Sequence, residues 1–455
     1  MLQFPADCLS EIFEYLEDDK VTLYSCLLIN KLWCKISVRI LWRRIRNYNT
    51  LIACLPNESK EVLYRNGIIN STSTSKQPMF NYVSFCKYIS IYDVNYNIEQ
   101  FIIEQQFILP QNTQNLDDNI NILTNEIFKM LMNQIFSLRE LKIINILSLK
   151  QNVNFISHPG ARYHLNNLTE LYCDSNTYSK FFYQLSQICH NIQILSISIK
   201  VAISNGLADL ISTQKNLKCL NILQFRRLEI DFNLLTNISN TLTKLYIHEQ
   251  DYYIPLSFLA KLTNLQELML IIHNNDSLGN FKELEYIKFP KLQILGFIYE
   301  SPKSELLIKF LKNNGRNLKE LYISKSDYSL SSAIIECCPN LRKLDIRLTI
   351  YELTILKMLF NNIQNLESIK IYCVGDFSKE TLFEIIVEYS PKNFNELKLV
   401  YSNNARSQLT SKELESFSVS WANHFPQKTL SFIIIIDNKI RTLKFNSENK
   451  KIIEK

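Results

Sequence analysis

Side chains that could act as nucleophiles, acid–base groups or metal ligands are scattered along the 455-residue chain. The six histidines stand apart from one another, and no Cys-x-x-Cys pair accompanies them, so the sequence predicts no zinc site. For the adjacent Cys337 and Cys338 we expect one buried and one peripheral thiol rather than a redox centre. No Gly-rich phosphate loop, nucleophile elbow or His-Glu-x-x-His motif is present. We therefore expect a binding protein with no catalytic residues, no metal and no cofactor.

Composition and charge narrow the class of partner. A chain this long predicts several domains or a repeat array. The 50 basic and 44 acidic residues leave a formal charge of only +6, which argues against nucleic acid. We see no secretory signal, and the longest purely aliphatic run, Ile433 to Ile436, is far too short for a membrane span. We expect a cytoplasmic or nuclear protein with 11 reduced cysteines and no membrane partner.

The first forty residues carry a compact helical pattern. Pro5 can begin a helix without losing a hydrogen bond, and four apolar residues then share one face of that helix. These residues are Leu9, Ile12, Phe13 and Leu16. Thr22 is a predicted N-cap for a second, short helix over 23–29, which is apolar nearly all the way round. Such a helix needs cover on more than one side.

This pattern, with Trp33 and the Leu-Trp at 41 and 42, resembles the F-box family. Phe4-Pro5 stands where Leu-Pro is commoner in that family. The resemblance implies docking on the adaptor of Skp–cullin–F-box ubiquitin ligases, with Trp33 and Trp42 anchoring the later helices. The implied adaptor-binding residues are Pro5, Leu9, Ile12, Phe13 and Leu16. The alternative is an ordinary N-terminal helical cap whose same residues form the core.

From residue 138 onward one phrase recurs: apolar, two variable residues, apolar, one variable residue, apolar. Its second and third apolar positions are Leu141-Ile143, Leu171-Cys173, Leu195-Ile197, Leu220-Ile222, Leu245-Ile247, Leu268-Leu270, Leu295-Phe297, Leu321-Ile323, Leu344-Ile346, Ile369-Ile371, Leu397-Leu399 and, less regularly, Ile433-Ile435. Most spacings fit the period of leucine-rich repeats, roughly 20–29 residues. An earlier copy is predicted at Cys86-Ile89-Ile91.

Alternation within each phrase predicts a short strand with one buried face, and the segment before the next phrase reads as helical. The repeat resembles the cysteine-containing class of leucine-rich repeat, although the Asn or Cys expected three residues after the third apolar position is mostly replaced. Asn176 keeps it. The Asn- and Gln-rich stretch from Asp93 to Asn121 is predicted to loop outward before a helix over about 122–135.

The predicted fold class is α/β, with a three-helix F-box followed by a curved leucine-rich-repeat solenoid. The solenoid is expected to be a right-handed α/β superhelix with parallel strands on its concave face. The predicted domains are an F-box over 1–46, a connecting helix and flexible linker over 47–80, the solenoid over 81–436 and a tail over 437–455. The linker prediction rests on the Ser/Thr run at 71–75.

Variable residues between the leucines should point out of the strands and bind a partner. Tyrosine and arginine offer large contact areas with a polar end, which favours three consecutive repeats near the C-terminus. The predicted target-binding residues there are Tyr322, Asp345, Arg347, Lys370 and Tyr372. The alternative is an ordinary solvated strand face of mixed charge.

Three functions fit this sequence. The first is a substrate-recognition subunit that holds the Skp adaptor, and through it cullin and RING subunits, with the helices, and an unknown protein substrate with the solenoid. The second is a non-degradative scaffold that binds the adaptor without a cullin. The third is a receptor for a small molecule or inositol phosphate, which the scattered Lys and Arg residues support only weakly.

Overall fold

The structure is a computed structural model. It describes residues 5–69, 78–108, 116–144, 155–224, 238, 240–249, 256–273, 281–348, 352–373, 379–401, 410–426 and 428–436. The chain forms two compact units, the first made of 1–218 and 228–239, the second of 219–227 and 240–455. The predicted linker run at 71–75 and the tail over 437–455 lie outside the described residues, and the predicted domain boundaries stay a prediction.

The first unit begins with five short helices. They are α1 (Ala6–Glu14), α2 (Lys20–Cys26), α3 (Lys31–Leu41), α4 (Tyr48–Ala53) and α5 (Asn57–Arg65). The predicted start of the second helix is wrong: the Asp19 carboxylate accepts a hydrogen bond from the Thr22 backbone N–H at 3.1 Å, so Asp19 is the N-cap. Asn30 caps α3 in the same way through the Trp33 N–H, at 2.9 Å.

Four strands follow in the first unit, each paired in parallel with the next. They are β1 (Tyr88–Ser90), β2 (Glu140–Ile143), β3 (Glu170–Asp174) and β4 (Ile194–Ile199). The helices that accompany them are α6 (Ile91–Ile108), α7 (Leu116–Gln134), α8 (Ala161–Leu165), α9 (Ser179–Ser186) and α10 (Asn205–Ser212). The early repeat copy is confirmed, because Ile89 pairs with Leu141 and is buried.

The predicted loop from Asp93 to Asn121 is wrong over most of its length. Its first part is helix α6, which buries Val94, Ile98 and Ile102, each at most 2% exposed. These residues are four apart and so share one helix face. The next helix, α7, begins at Leu116, six residues before the predicted start at 122.

The second unit contains nine of the described strands, each paired in parallel with the next. They are β5 (Cys219–Gln224), β6 (Lys244–Glu249), β7 (Glu267–Ile272), β8 (Ile294–Tyr299), β9 (Glu320–Tyr322), β10 (Lys343–Leu348), β11 (Ser368–Cys373), β12 (Glu396–Tyr401) and β13 (Ser431–Ile436). Its helices are α11 (Ser304–Asn314), α12 (Tyr328–Cys337), α13 (Leu353–Asn362), α14 (Lys379–Tyr389) and α15 (Ser411–His424).

The repeated phrase forms the core of both units. In the second unit Leu321, Leu344 and Ile369 occupy matching positions on β9, β10 and β11, and each is 0% exposed. The predicted register of the last phrase is wrong by one residue. Leu397 pairs with Phe432 and Leu399 with Ile434, so Ile433 and Ile435 face the other side of the strand.

A ladder of asparagines links neighbouring repeats of the second unit, but not at the position three residues after the third apolar residue, where asparagine is mostly replaced. These asparagines lie just before the first leucine of a repeat, and each side-chain amide donates to a backbone carbonyl one repeat earlier. The bonds run from Asn264 to Asn240 at 2.7 Å, Asn317 to Pro290 at 2.8 Å, Asn340 to Arg316 at 2.9 Å and Asn365 to Pro339 at 3.1 Å. They add hydrogen bonds between the turns of successive repeats.

A buried amide adds a further link between repeats. Asn314, at the end of α11, accepts a hydrogen bond from the Phe289 N–H at 2.6 Å and donates to the Ile287 carbonyl at 2.9 Å. Gln214 does the same in the first unit, through the Ile192 N–H and the Cys189 carbonyl. Buried polar groups with full hydrogen bonding fix one packing arrangement, so these amides set the spacing of successive repeats.

Candidate binding surfaces

The first candidate surface lies on the N-terminal three-helix module, α1 to α3. A single cluster forms its core, made of Leu9, Phe13, Leu23, Cys26, Ile36 and Ile40. The Phe13 ring packs edge-on against Trp33, with ring centroids 5.1 Å apart. Trp33, on α3, thus packs against the core, while Trp42 packs on Tyr82, with centroids 4.5 Å apart.

The predicted apolar stripe on α1 is therefore divided between the inside and the outside of the module. Leu9 and Phe13 are only 6% and 2% exposed, so these two residues belong to the core of the module. Leu16 is half-buried against the same core. Pro5 is exposed and Ile12 is 49% exposed. A role in adaptor binding stays a prediction for all five.

Further apolar side chains of the module, none of them among the predicted binding residues, are strongly exposed. Val21 and Leu28 are 78% and 89% exposed, and Tyr15, which directly follows α1, is 91% exposed. Tyr24 and Ile29 are also more than half exposed. The sequence indicated this exposure. The predicted second helix is apolar on all sides, but only one side of a helix can face a small core.

Arg43 ties this module to the first strand. Its guanidinium, only 10% exposed, pairs with Glu14 and, at 2.5 Å, with Glu17. The bond from Arg43 lowers the pKa of the Glu14 carboxyl. The backbone carbonyl of Arg43 accepts hydrogen bonds from the N–H groups of Lys87 and Tyr88, at 2.8 and 3.0 Å. The end of α3 is thus held beside β1.

The second candidate surface is the outer strand face of the second unit, defined as the side of β5–β13 opposite the buried leucines. The structure brings the five predicted target-binding residues together there. Tyr322, Asp345 and Lys370 form one row across β9, β10 and β11. Arg347 and Tyr372 are paired in the next row. All five are half-buried, as expected for side chains that stand on a strand beside close neighbours.

Several polar side chains of this surface already bind one another. The Tyr322 hydroxyl donates to the Glu320 carboxylate. Lys370 lies 3.2 Å from the Asp345 carboxylate and 4.9 Å from the centre of the Tyr372 ring. Burial raises the pKa of the Asp345 carboxyl despite this partner. Burial also opposes the charge on Lys370, but the neighbouring Asp345 and Tyr372 outweigh it and raise the Lys370 pKa.

Arg347 differs from its neighbours on the outer strand face. In the part of the chain that the structure describes, no carboxylate lies within ion-pair distance of its guanidinium. Arg347 and Tyr372 therefore offer the planar donor group and the aromatic ring that protein interfaces favour. Acidic and basic residues that were not predicted to matter also lie one position before the buried leucine on several strands, where Lys343 pairs with Glu320 at 2.9 Å.

Among the described residues, the thiols of Cys337 and Cys338 and the possible metal ligands give no additional candidate site. Cys338 is buried and Cys337 half-buried, which confirms the predicted arrangement, and burial raises the pKa of the Cys338 thiol to about 12. Among the described residues there is no group of three or more His, Cys, Asp or Glu side chains that could hold a metal ion. In the same residues no helix is long and apolar enough to cross a membrane.

The repeated strand phrase, its parallel register and its buried leucines define a leucine-rich-repeat fold of mixed α and β structure. No protein-family model and no curated protein sequence matches the chain. Among solved structures the chain is similar to an internalin from Listeria monocytogenes, at 17% identity and a TM-score of 0.33, over 70% of this chain and 80% of that one.

Proposed function

We propose that this protein is a non-catalytic, substrate-recognition subunit of a Skp–cullin–F-box type ubiquitin ligase, working in the cytoplasm or nucleus. The N-terminal module would bind the Skp adaptor, and the outer strand face would bind a protein target. The protein would contribute to ubiquitin transfer by proximity. It would hold the target beside a conjugating enzyme that carries ubiquitin and so raise the effective concentration of the target there.

The observation that carries the adaptor assignment is a set of exposed apolar side chains on a module whose core is already filled. Ile12, Val21 and Leu28 are 49%, 78% and 89% exposed, while Leu9 and Phe13 fill the core beneath. We infer that these residues together form the interaction site, since an exposed apolar patch on a small module marks one.

We predict that Ile12→Asp combined with Leu28→Asp abolishes capture of a recombinant Skp adaptor. Both side chains are exposed, so the module should remain folded while the apolar contact is lost. Pull-down with purified adaptor, with circular dichroism of the same sample, measures both quantities. A matched control is Tyr286→Asp with Tyr328→Asp, two residues 80% and 71% exposed outside the module.

The adaptor assignment is wrong if the wild-type chain does not bind the adaptor, or if the Ile12→Asp, Leu28→Asp variant binds it as well as the control does. Affinity purification from cells separates the two functions that share an adaptor. Recovery of cullin and RING subunits with the adaptor supports the ligase. Recovery of the adaptor alone supports a scaffold that works without a cullin.

We predict that Arg347→Glu with Tyr372→Ala removes a protein target from the outer strand face. Loss of two interface residues of this kind should cost roughly 2 kcal/mol or more, about a thirtyfold loss of affinity. The matched control is Lys142→Glu with Tyr172→Ala in the first unit, where Lys142 likewise lies over a tyrosine ring, 4.8 Å from its centre.

Quantitative proteomics of both variants, with the proteasome blocked, gives the readout. The expected result is one or more partners lost with the second-unit variant and retained with the control, while the adaptor stays bound to both. If the two variants and the wild type recover the same partners, the outer strand face around Arg347 is not the recognition site. A mixed surface with aromatic residues suits a protein better than a polyanion, whose binding needs accumulated basic charge.

A further inference from the structure

A groove of about 650 Å³ lies along the turns that lead into five consecutive strands of the second unit, β7 to β11. Two rows of side chains line it, one residue before and one residue after the first leucine of each repeat. The first row holds Lys291 and asparagines of the ladder that links the repeats, and the second holds Gln266, Gln293, Lys319 and Arg342. Among the described side chains that line this basic groove, three are basic and none is acidic.

The repeat itself does not require a basic side chain at these positions. The backbone N–H of Lys319 donates to the Gln293 carbonyl at 2.7 Å, and the N–H of Arg342 donates to the Lys319 carbonyl at 2.7 Å. The N–H of Gln266, on a neighbouring repeat, makes the same bond to the Thr243 carbonyl, also at 2.7 Å. Because a neutral residue supports the same backbone bond, the charges are free to serve binding.

The three cations of the basic groove are only partly compensated. In the part of the chain that the structure describes, no carboxylate lies within ion-pair distance of the exposed Lys319 ammonium. Lys291 donates a hydrogen bond to the neutral Asn264 side chain at 2.6 Å. Arg342 lies 3.4 Å from the Glu367 carboxylate, but its side chain is still 57% exposed. A cleft lined by charges of one sign concentrates ligands of the opposite sign.

A smaller groove in the corresponding turns of the first unit shows the contrast. It measures about 390 Å³, and its lining contains Lys87 and Arg139 but also Glu170. The Glu170 carboxylate lies 3.5 Å from the Arg139 guanidinium, so a lining residue neutralises one of the cations. The absence of a carboxylate from the described lining is therefore specific to the basic groove and not a general property of the repeat edge.

We propose that the basic groove binds an extended, acidic peptide segment of a partner protein, with Lys291, Lys319 and Arg342 pairing with its Asp or Glu side chains. These cations come from three consecutive repeats, whose strands are about 5 Å apart, so they suit charges distributed along a chain better than one compact anion. Arginine also forms paired hydrogen bonds with a carboxylate.

The length and the remaining lining of the groove suit an extended chain. Five neighbouring strands span about 20 Å, which is the length of roughly six extended residues. The side-chain amides of Gln266 and Gln293 can each donate and accept hydrogen bonds, as the backbone of a peptide requires. The basic groove uses none of the five residues predicted to bind a target on the outer strand face, and it does not depend on the adaptor assignment.

The test is fluorescence anisotropy of the full chain with a rhodamine-labelled hexapeptide of alternating Asp and Glu. Lys319→Glu with Arg342→Glu should weaken binding roughly tenfold, because two exposed ion pairs are lost and replaced by repulsion. The matched control, Lys303→Glu with Lys312→Glu beside and on α11, makes the same change in net charge outside the groove. It should keep the affinity within about twofold. All four side chains are exposed, so circular dichroism should be unchanged.

Two competitors test the chemistry of the ligand. A hexapeptide of alternating Asn and Gln should not displace the acidic peptide, and inorganic phosphate at the same concentration should displace little of it. Equal displacement by phosphate would make the groove a site for a compact anion and overturn the peptide assignment. Failure of the wild type to bind the acidic peptide would also overturn the proposal. So would an equal loss of affinity in the groove variant and the Lys303→Glu, Lys312→Glu control, because it would indicate attraction by net charge alone.

Discussion

Leu344→Ala should cost about 2–5 kcal/mol of local stability in the second unit. The Leu344 side chain is 0% exposed and lies on β10 between Leu321 of β9 and Ile369 of β11, which are equally buried. Truncation removes buried apolar surface and leaves a cavity that Leu321 and Ile369 cannot fill without moving their strands. The effect is large because close-packed repeats have little freedom to collapse.

Native-state hydrogen exchange measures both the size and the range of this effect. Repeat stability is shared mainly between nearest neighbours, so lost protection should be concentrated in β9, β10 and β11. The matched control is Arg347→Ala on the same strand, where a half-buried outward side chain is removed and the change should stay within about 0.5 kcal/mol. An equal loss of protection in residues 5–42 would argue instead for one cooperative globule.

Most of the repeat fold could be read from the sequence because strict alternation identifies the buried side of a strand. Leu344 and Ile346 alternate with the polar Asp345 and Arg347, and only one register buries both apolar residues. At β13 this signal disappears, since Phe432 to Ile436 are apolar at every position. Pairing of Phe432 with Leu397, and packing of its ring 5.6 Å from that of Phe417, determine the register there.

In the connection between β1 and β2, the polar composition led to the prediction of a loop where the chain is mostly helical. Asparagine and glutamine are frequent from Asp93 onward and suggested a loop, yet Val94, Ile98 and Ile102 bury one face of α6. Helical periodicity outweighs polar composition where the apolar residues have a neighbour to pack against. Part of that cover comes from α7, where Thr124 donates a hydrogen bond to the buried Asn95 side chain at 3.3 Å.

The binding surfaces were harder to predict than the fold. An apolar stripe on a short helix has the same spacing whether it faces a core or a partner, so Leu9 and Ile12 could not be separated by pattern alone. Whether a residue of the stripe is buried or exposed depends on the side of the helix against which the other two helices pack. Likewise, the sequence placed Asp345 and Lys370 on one surface but did not show that they neutralise each other at 3.2 Å.

Phe13→Ala should therefore destabilise the module, whereas Ile12→Ala should leave its stability almost unchanged. Phe13 is 2% exposed and packs edge-on against Trp33, whereas Ile12 is 49% exposed. Loss of a buried phenylalanine costs about 3–5 kcal/mol, which is a large share of the stability of any small helical module. Ile12→Ala should stay within about 0.5 kcal/mol, because its side chain leaves no cavity.

Hydrogen exchange of the α1–α3 amides compares these two variants directly. Phe13→Ala should lose protection across all three helices, since Phe13, Leu23 and Ile36 belong to one core cluster. The Phe13→Ala variant should also fail to capture the adaptor, because its module unfolds. The Ile12→Asp, Leu28→Asp variant should fail to capture the adaptor while its α1–α3 amides stay protected from exchange. This contrast assigns each residue of the stripe to the core or to the partner. Full protection in Phe13→Ala would mean that the module does not depend on this core.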